Sequence, residues 1–412
     1  VTQLGDIVVN ITSQTPGLSQ DGFGIALILA NTTHTYKEYS SISEVEVDFL
    51  SSTTIYKMAN AIFGQEIKPT KIAIAGINYT EENTITTETL TNVSGNTYSF
   101  ANTYIKVGSI TGLEDNGVPI PDSDIDNIDY LNGEITFLTA KTEPVTVDSY
   151  VTYLEATGFT TLLNTLVQDG KNFYVVLTEG NGYRLQQEVN TWILTQYKLY
   201  FIRTDVLPSV MPITFGERTA IYYHETADEF PDAAIVGACF PKNAGSVTFS
   251  RQILSGITAN VLTGATITEL TNNRYNTIIR EYGSIVTNNG FLAENYYIDQ
   301  IRDRDYIKFT MEENIARLLI DNDKIPYDDT GIAQVVSQVT SSLNQAFQNG
   351  VIASTANNQA KFSVDFLSRA EIATQYPQDI INRTLTTVTF SYVEAGAIEG
   401  ATINGTVVIE LP

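Results

Sequence analysis

The feature that most constrains this chain is an alternation of short unbroken apolar runs with amphipathic stretches, broken once by a long segment of different texture. Gly24 to Ala30 is apolar without alternation, and Lys71 to Ala75 is so after its lysine, the pattern of strands covered on both faces. Between them, Val45, Phe49, Ile55, Tyr56, Ala59, Ile62 and Phe63 recur at three- and four-residue steps over Ser41–Gly64, with a break near Ser51. The pattern resumes later, with a helix over Phe159–Gln168, a strand over Phe173–Leu177, a helix over Arg184–Gln196 and a strand over Lys198–Arg203. Thr219–Tyr223 and Ala233–Phe240 extend the series. Strands spaced by helices of ten to fifteen residues predict βαβ units and an at least partly parallel sheet.

From Thr80 to about Glu155 the helical period vanishes. Short alternating runs replace it at Thr84–Leu90, Tyr98–Phe100, Tyr104–Val107, Glu134–Leu138 and Val145–Tyr153. Turn formers such as Asn116-Gly117 and Pro119 to Pro121 separate them. This pattern predicts an all-β unit inserted in a loop of the α/β frame.

The last third contains the clearest helix. Ile332, Val335, Val336, Val339, Leu343, Ala346 and Phe347 form one apolar face, with Thr330 as the expected N-cap and Gly350 as the left-handed residue after the end. Met311, Ile315, Leu318 and Leu319 mark a helix that stops before Pro326. Two alternating strands follow, Phe362/Val364/Phe366 and Val388/Phe390/Tyr392. Both ends of the chain also alternate: Ile7, Val9 and Ile11 at the start, Val407, Ile409 and Leu411 at the close. An unpaired strand must find donors and acceptors, either on its own sheet or by addition to another chain, and the pattern leaves both open.

Composition excludes several classes. With 47 acidic against 23 basic residues the 412-residue chain carries a net charge of −24, the wrong sign for neutralising phosphates, so no nucleic-acid partner is expected. The longest apolar run, Phe23 to Ala30, is far too short to span a bilayer, so no direct membrane insertion is expected either. The first residues lack the layout of a secretory signal. Cys239 is the single cysteine, which excludes an intrachain disulfide and points to cytosolic synthesis.

The residues that usually carry catalysis are scarce. His34, His224 and Cys239 are the entire imidazole and thiol supply, and no two are spaced as metal ligands. His224, with Glu225 beside it, is the one conceivable sequence-local base. Gly180-Asn181-Gly182 precedes a helix without any phosphate-loop continuation. Asp122, Asp124 and Asp126 open like a calcium loop, but Asn127 stands where glycine belongs and Gly133 where the bidentate glutamate belongs. The run Arg302-Asp303-Arg304-Asp305 reads as self-neutralising charge on an exposed helix face. The expectation is a chain with no catalytic, cofactor-binding or metal-binding residues and no cofactor.

Three phrases carry a family resemblance. Lys324-Ile325-Pro326-Tyr327-Asp328-Asp329-Thr330-Gly331-Ile332, followed by the long helix and its exit Gln348-Asn349-Gly350-Val351-Ile352-Ala353, resembles contractile phage tail sheath proteins. Asp328-Asp329 stands where that family's turn shows Thr-Asp. Tyr376-Pro377 and Ala395-Gly396-Ala397-Ile398 are similar to the closing segment of sheath C-terminal domains. Ile128 to Phe137 resembles a strand-turn-strand phrase of inserted β domains in phage tail and baseplate proteins.

The resemblance implies an α/β (α+β multidomain) chain: a mixed-sheet core with an inserted all-β domain and exchanged terminal strands. The expected division is an arm at 1–22, an α/β domain at 23–80 and 156–240, the β insertion at 81–155, a C-terminal sheath domain at 241–400, and a second arm at 401–412. The arms would present Ile7, Val9, Ile11, Val407, Ile409 and Leu411. The receiving sheet would hold Phe362, Val364, Phe366, Val388, Phe390 and Tyr392. The implied partners are further copies of the chain in hexameric rings stacked helically, a tail tube protein, and baseplate and tail terminator proteins. The implied place is the virion tail, after assembly in the host cytoplasm. Two alternatives remain, another tail or baseplate structural protein and an acidic carbohydrate-binding or carbohydrate-active protein, the latter disfavoured by a single tryptophan, Trp192.

Overall fold

The computed structural model describes residues 23–155, 158–226 and 228–399; the terminal strands expected at Ile7–Ile11 and Val407–Leu411 lie outside them. The described chain opens with β1 (Ala26–Asn31), β2 (Lys37–Tyr39), α1 (Ile42–Asp48), α2 (Thr54–Phe63) and β3 (Ile72–Ile77). The expected helical break falls at residues 49–53, where Thr53 starts α2 by accepting from the Tyr56 amide. β2 went unseen because three residues are too few to show a period. β3 runs past the expected end at Ala75 through Gly76, where only glycine fits, since a Cβ would sit 2.0 Å from the Ala30 carbonyl oxygen on the neighbouring strand. Glycine marks a close backbone approach here.

Residues 82–153 form β4 (Glu82–Thr89), β5 (Thr91–Ser94), β6 (Thr97–Ser99), β7 (Glu114–Asp115), β8 (Val118–Pro119), β9 (Ile125–Asp129), β10 (Glu134–Phe137) and β11 (Val145–Tyr153). Among the described residues they pair only with one another, as two four-stranded sheets ordered β5-β6-β10-β9 and β4-β11-β7-β8. Tyr98, Phe100, Ile135, Phe137, Val147 and Tyr150 belong to a core of their own. The run Tyr104–Val107 is not a strand, although Ile105 makes a single bridge to Thr152. The phrase Ile128–Phe137 is the expected antiparallel hairpin.

The α/β pattern then returns: α3 (Phe159–Gln168), β12 (Val175–Thr178), α4 (Tyr183–Ile193), β13 (Leu199–Thr204), β14 (Thr219–Tyr223), α5 (Pro231–Cys239), α6 (Gly264–Asn272), β15 (Asn276–Glu281) and β16 (Ser284–Asn288). With the opening strands they make one eight-stranded sheet, ordered β16-β15-β14-β13-β12-β1-β3-β2. The six strands from β15 to β3 run parallel, and β16 and β2 add antiparallel edges. Both faces are covered, which explains the unbroken apolar runs. Ala26, Ile28 and Ala30 face a core shared with α1, α2, α5 and the later long helices, while Ile25, Leu27 and Leu29 face one shared with α3, α4 and α6. Every residue of α5 is buried. Gly237 permits this, since a Cβ there would meet the Ile62 backbone of α2 at 2.4 Å.

A candidate assembly surface

The C-terminal part is a helical hairpin carrying a small sheet: α7 (Ile298–Ile320), α8 (Asp329–Gln348), β17 (Phe362–Asp365), α9 (Arg369–Gln375), α10 (Pro377–Asn382) and β18 (Thr389–Tyr392). The hairpin is pinned by Asn314 Nδ2 to Ser342 Oγ at 2.9 Å and Asn349 Nδ2 to Tyr306 Oη at 2.9 Å. The cap of α8 is Asp328, not Thr330, because the Asp328 carboxylate accepts from the Gly331 amide at 3.0 Å. Gly331 itself is imposed by space, since a Cβ there would lie 1.8 Å from the Pro326 carbonyl oxygen. Gly350 follows the helix at φ 87, as its position predicts.

β17 and β18 pair antiparallel, Phe362 opposite Tyr392 and Val364 opposite Phe390. These four side chains and Val388 pack on the main core, while Ser363 and Ser391 touch through their hydroxyls at 2.9 Å on the other face. Phe366 falls outside the strand and is half exposed, and Val388 lies just before β18. Among the described residues this sheet has two strands only. Among the described residues neither outer edge is lined by a third strand, a geometry that invites strand addition. Phe366, Tyr376, Ile381, Val393 and Ile398 add exposed apolar surface nearby.

α7 fixes this unit to the large sheet through charges that sequence reasoning placed in solvent. Arg302 and Asp305 are both buried. The Arg302 guanidinium donates to the carbonyls of Cys239, Phe240 and Lys242 at the end of α5. Asp305 accepts two hydrogen bonds from Arg218 and one from the Tyr174 hydroxyl. The available clue was spacing: Ile298, Ile301, Arg302, Asp305 and Phe309 share one helical stripe with two apolar ends. Asp303, on the next face, accepts from the Gly245 amide at 2.7 Å. Burial first, then the neighbouring Asp299, pushes its carboxyl up to about 7. Burial and Asp299 likewise push Glu394 up to about 7, and burial pushes Asp299 up to about 6. Glu394 follows β18, and Glu399 anchors the same segment by accepting from Thr248 Oγ1 at 2.7 Å.

The switch-point crevice of the large sheet is filled by the chain's own side chain. In open α/β sheets ligands bind beyond the strand ends where the winding direction switches, here between β1 and β12. That crevice holds Glu81, whose carboxylate accepts from the Gly182 amide at the start of α4 at 2.7 Å. The position an anion would take at a helix N-terminus is filled by the chain's own side chain. A Cβ on Gly180 would lie 2.5 Å from that carboxylate. His224 is buried against Glu229 at 3.3 Å and the Thr258 carbonyl at 3.0 Å, not against Glu225. Asp124 is held by Lys141 and Thr139, and a short 3-10 turn carries Asp122.

Residues 298–407, which begin at α7, match the family model described as E217 tail sheath protein gp31-like, C-terminal domain. Over that segment the chain is similar to the tail sheath proteins. No curated protein matches it. Solved structures share the fold along the whole chain. A chain of the anti-feeding prophage baseplate, 6-fold symmetrised, aligns with a TM-score of 0.62 at 13% identity over 99% of this chain and 100% of that one. A chain of the anti-feeding prophage helical sheath in the contracted state aligns at 0.60 and 12%, over 100% of both. One from the PVC sheath complex of an extracellular contractile injection system, also contracted, aligns at 0.60 and 10%, over 99% and 98%. At such identities the likeness is one of fold, a mixed α/β architecture that runs beyond the segment matched by the family model.

Proposed function

We propose that this chain is the structural subunit of a contractile tail sheath, polymerising as stacked hexameric rings around a tail tube and contracting to drive that tube through a host envelope. The observation that carries the reading is the two-stranded sheet β17–β18, with neither edge lined by a third strand among the described residues, inside the segment that matches the sheath family. Two edges suit two arms. The N-terminal strand with Ile7, Val9 and Ile11 and the C-terminal strand with Val407, Ile409 and Leu411 would each add to such a sheet in a neighbouring subunit. Backbone ladders of this kind persist while rigid bodies rotate, so contraction can repack the remaining contacts without losing neighbours.

The division into domains belongs to the same proposal. Residues 81–155 would be an outward-facing insertion, residues 23–80 and 156–240 the α/β body, and residues 241–400 the sheath domain that carries the exchange. Tube, baseplate and terminator proteins would be its partners, the virion tail its place, and assembly would occur in the host cytoplasm. The chain would work without chemistry or cofactor, its energy residing in contacts among copies. Deleting residues 1–12, or residues 401–412, tests the exchange: each truncated chain should remain folded by circular dichroism yet sediment as a monomer. Normal polymers from both truncations would refute the exchange.

A further inference from the structure

We infer that a basic-rimmed cavity between the α/β body and α7–α8 is a docking site for an acidic segment of a second copy of this chain. The cavity encloses about 550 Å³. Phe23, Phe240 and Phe309 contribute apolar wall, and Lys68, Lys71 and Lys242 stand at it. None of the described residues lining it is Asp or Glu, in a chain where acidic residues outnumber basic ones 47 to 23. Lys71 is paired with Glu38 at 2.8 Å, but among the described residues Lys242 reaches only the neutral amide of Gln252, at 3.2 Å. Lys68 is exposed and makes no ion pair among the described residues.

Charge complementarity selects the occupant. Subunits carrying −24 each repel as they pack, and a carboxylate-free, lysine-rimmed recess is where an acidic segment of the next copy meets attraction instead. The volume suits a few side chains, so the fitting segment presents a carboxylate beside one apolar residue. Because α7 and α8 supply Arg302, Tyr306 and Gln345 to the same cavity, an occupant would bridge the body of one subunit to the sheath domain beside it. This inference rests on the sheath reading and names a contact within it.

The test is zero-length carbodiimide cross-linking of polymers grown from equal parts of isotopically heavy and light full-length chain, with mass spectrometry of the linked peptides. Heavy–light links from Lys68 or Lys242 to Asp or Glu peptides are expected. The double charge reversal K68E/K242E should stay folded and raise the protein concentration for half-maximal polymerisation on the order of tenfold. Links confined to Asp6 or Asp21 within one chain would give the cavity to the chain's own N-terminal residues and overturn the proposal. Polymers with no heavy–light link at these lysines, and with unchanged assembly of the reversed variant, would overturn it and leave the sheath reading intact. No polymer from the unaltered chain, even with tube and baseplate present, would overturn both.

Discussion

Asp305 on α7 receives both terminal nitrogens of Arg218, at 2.7 and 3.1 Å, and this buried fork joins the C-terminal helical hairpin to the central sheet. Two parallel charge-assisted bonds fix the orientation of α7 as well as its position. The Tyr174 hydroxyl completes the carboxylate at 2.8 Å.

Removing one partner leaves an uncompensated buried charge. Asp305→Ala should lower unfolding stability by about 3–5 kcal/mol, read from the urea midpoint. The double change R218M/D305L should cost less than the single one, because it removes the stranded charge along with the pair. A single variant as stable as the parent would contradict this account of the fork.

Gly331→Ala places a methyl group 1.8 Å from the Pro326 carbonyl oxygen if nothing moves. The turn into α8 must open, at a cost of about 1–3 kcal/mol. Limited proteolysis should then cut between α7 and α8 faster than in the parent. An unchanged cutting pattern would mean that the turn relaxes freely.

The carboxyls at the root of the C-terminal segment predict a pH dependence. Asp303 and Glu394 titrate near 7 and Asp299 near 6 in the folded chain, all raised above their ordinary values. Groups raised on folding stabilise fully below their unfolded pKa of about 4, and that stabilisation is lost as pH rises through the folded values. The melting temperature should therefore fall between about pH 5 and about pH 7, and Asp303→Asn should flatten the fall. Lys198, pushed down to about 7 by burial, acts in the opposite sense above neutrality, so the comparison belongs below it. Equal slopes for parent and variant would remove Asp303 from the cause.

Net charge predicts a salt dependence of assembly. At −24 per subunit, neighbouring copies repel, and salt screens that repulsion beyond about 8–10 Å. Contraction should proceed further at high salt than at low salt, read as the fraction of contracted sheaths in micrographs. Equal yields would assign the driving force wholly to short-range contacts.

Much of the fold was legible because both faces of the central sheet are covered. Unbroken runs such as Gly24–Ala30 cannot be anything but buried, and α3 and β11 fall where periodicity put them. What escaped was decided by tertiary contact. Gly76 reads as a terminator in isolation, but it continues the strand where only glycine fits against Ala30. Arg302 and Asp305 read as solvent charges because their partners, the carbonyls after α5 and the Arg218 guanidinium, are distant in sequence. Glu81 at the α4 N-terminus escaped for the same reason, 101 residues from Gly182. The candidate assembly surface was half legible: alternation gave β17 and β18, but only the fold shows that they pair with each other and, among the described residues, with no third strand.

Electron microscopy of the purified full-length chain, negatively stained across a concentration series with and without tube and baseplate proteins, tests self-assembly most directly. The sheath account predicts stacked rings or hollow tubes that lengthen with concentration. Compact monomers at every concentration, with tube and baseplate supplied, would contradict it.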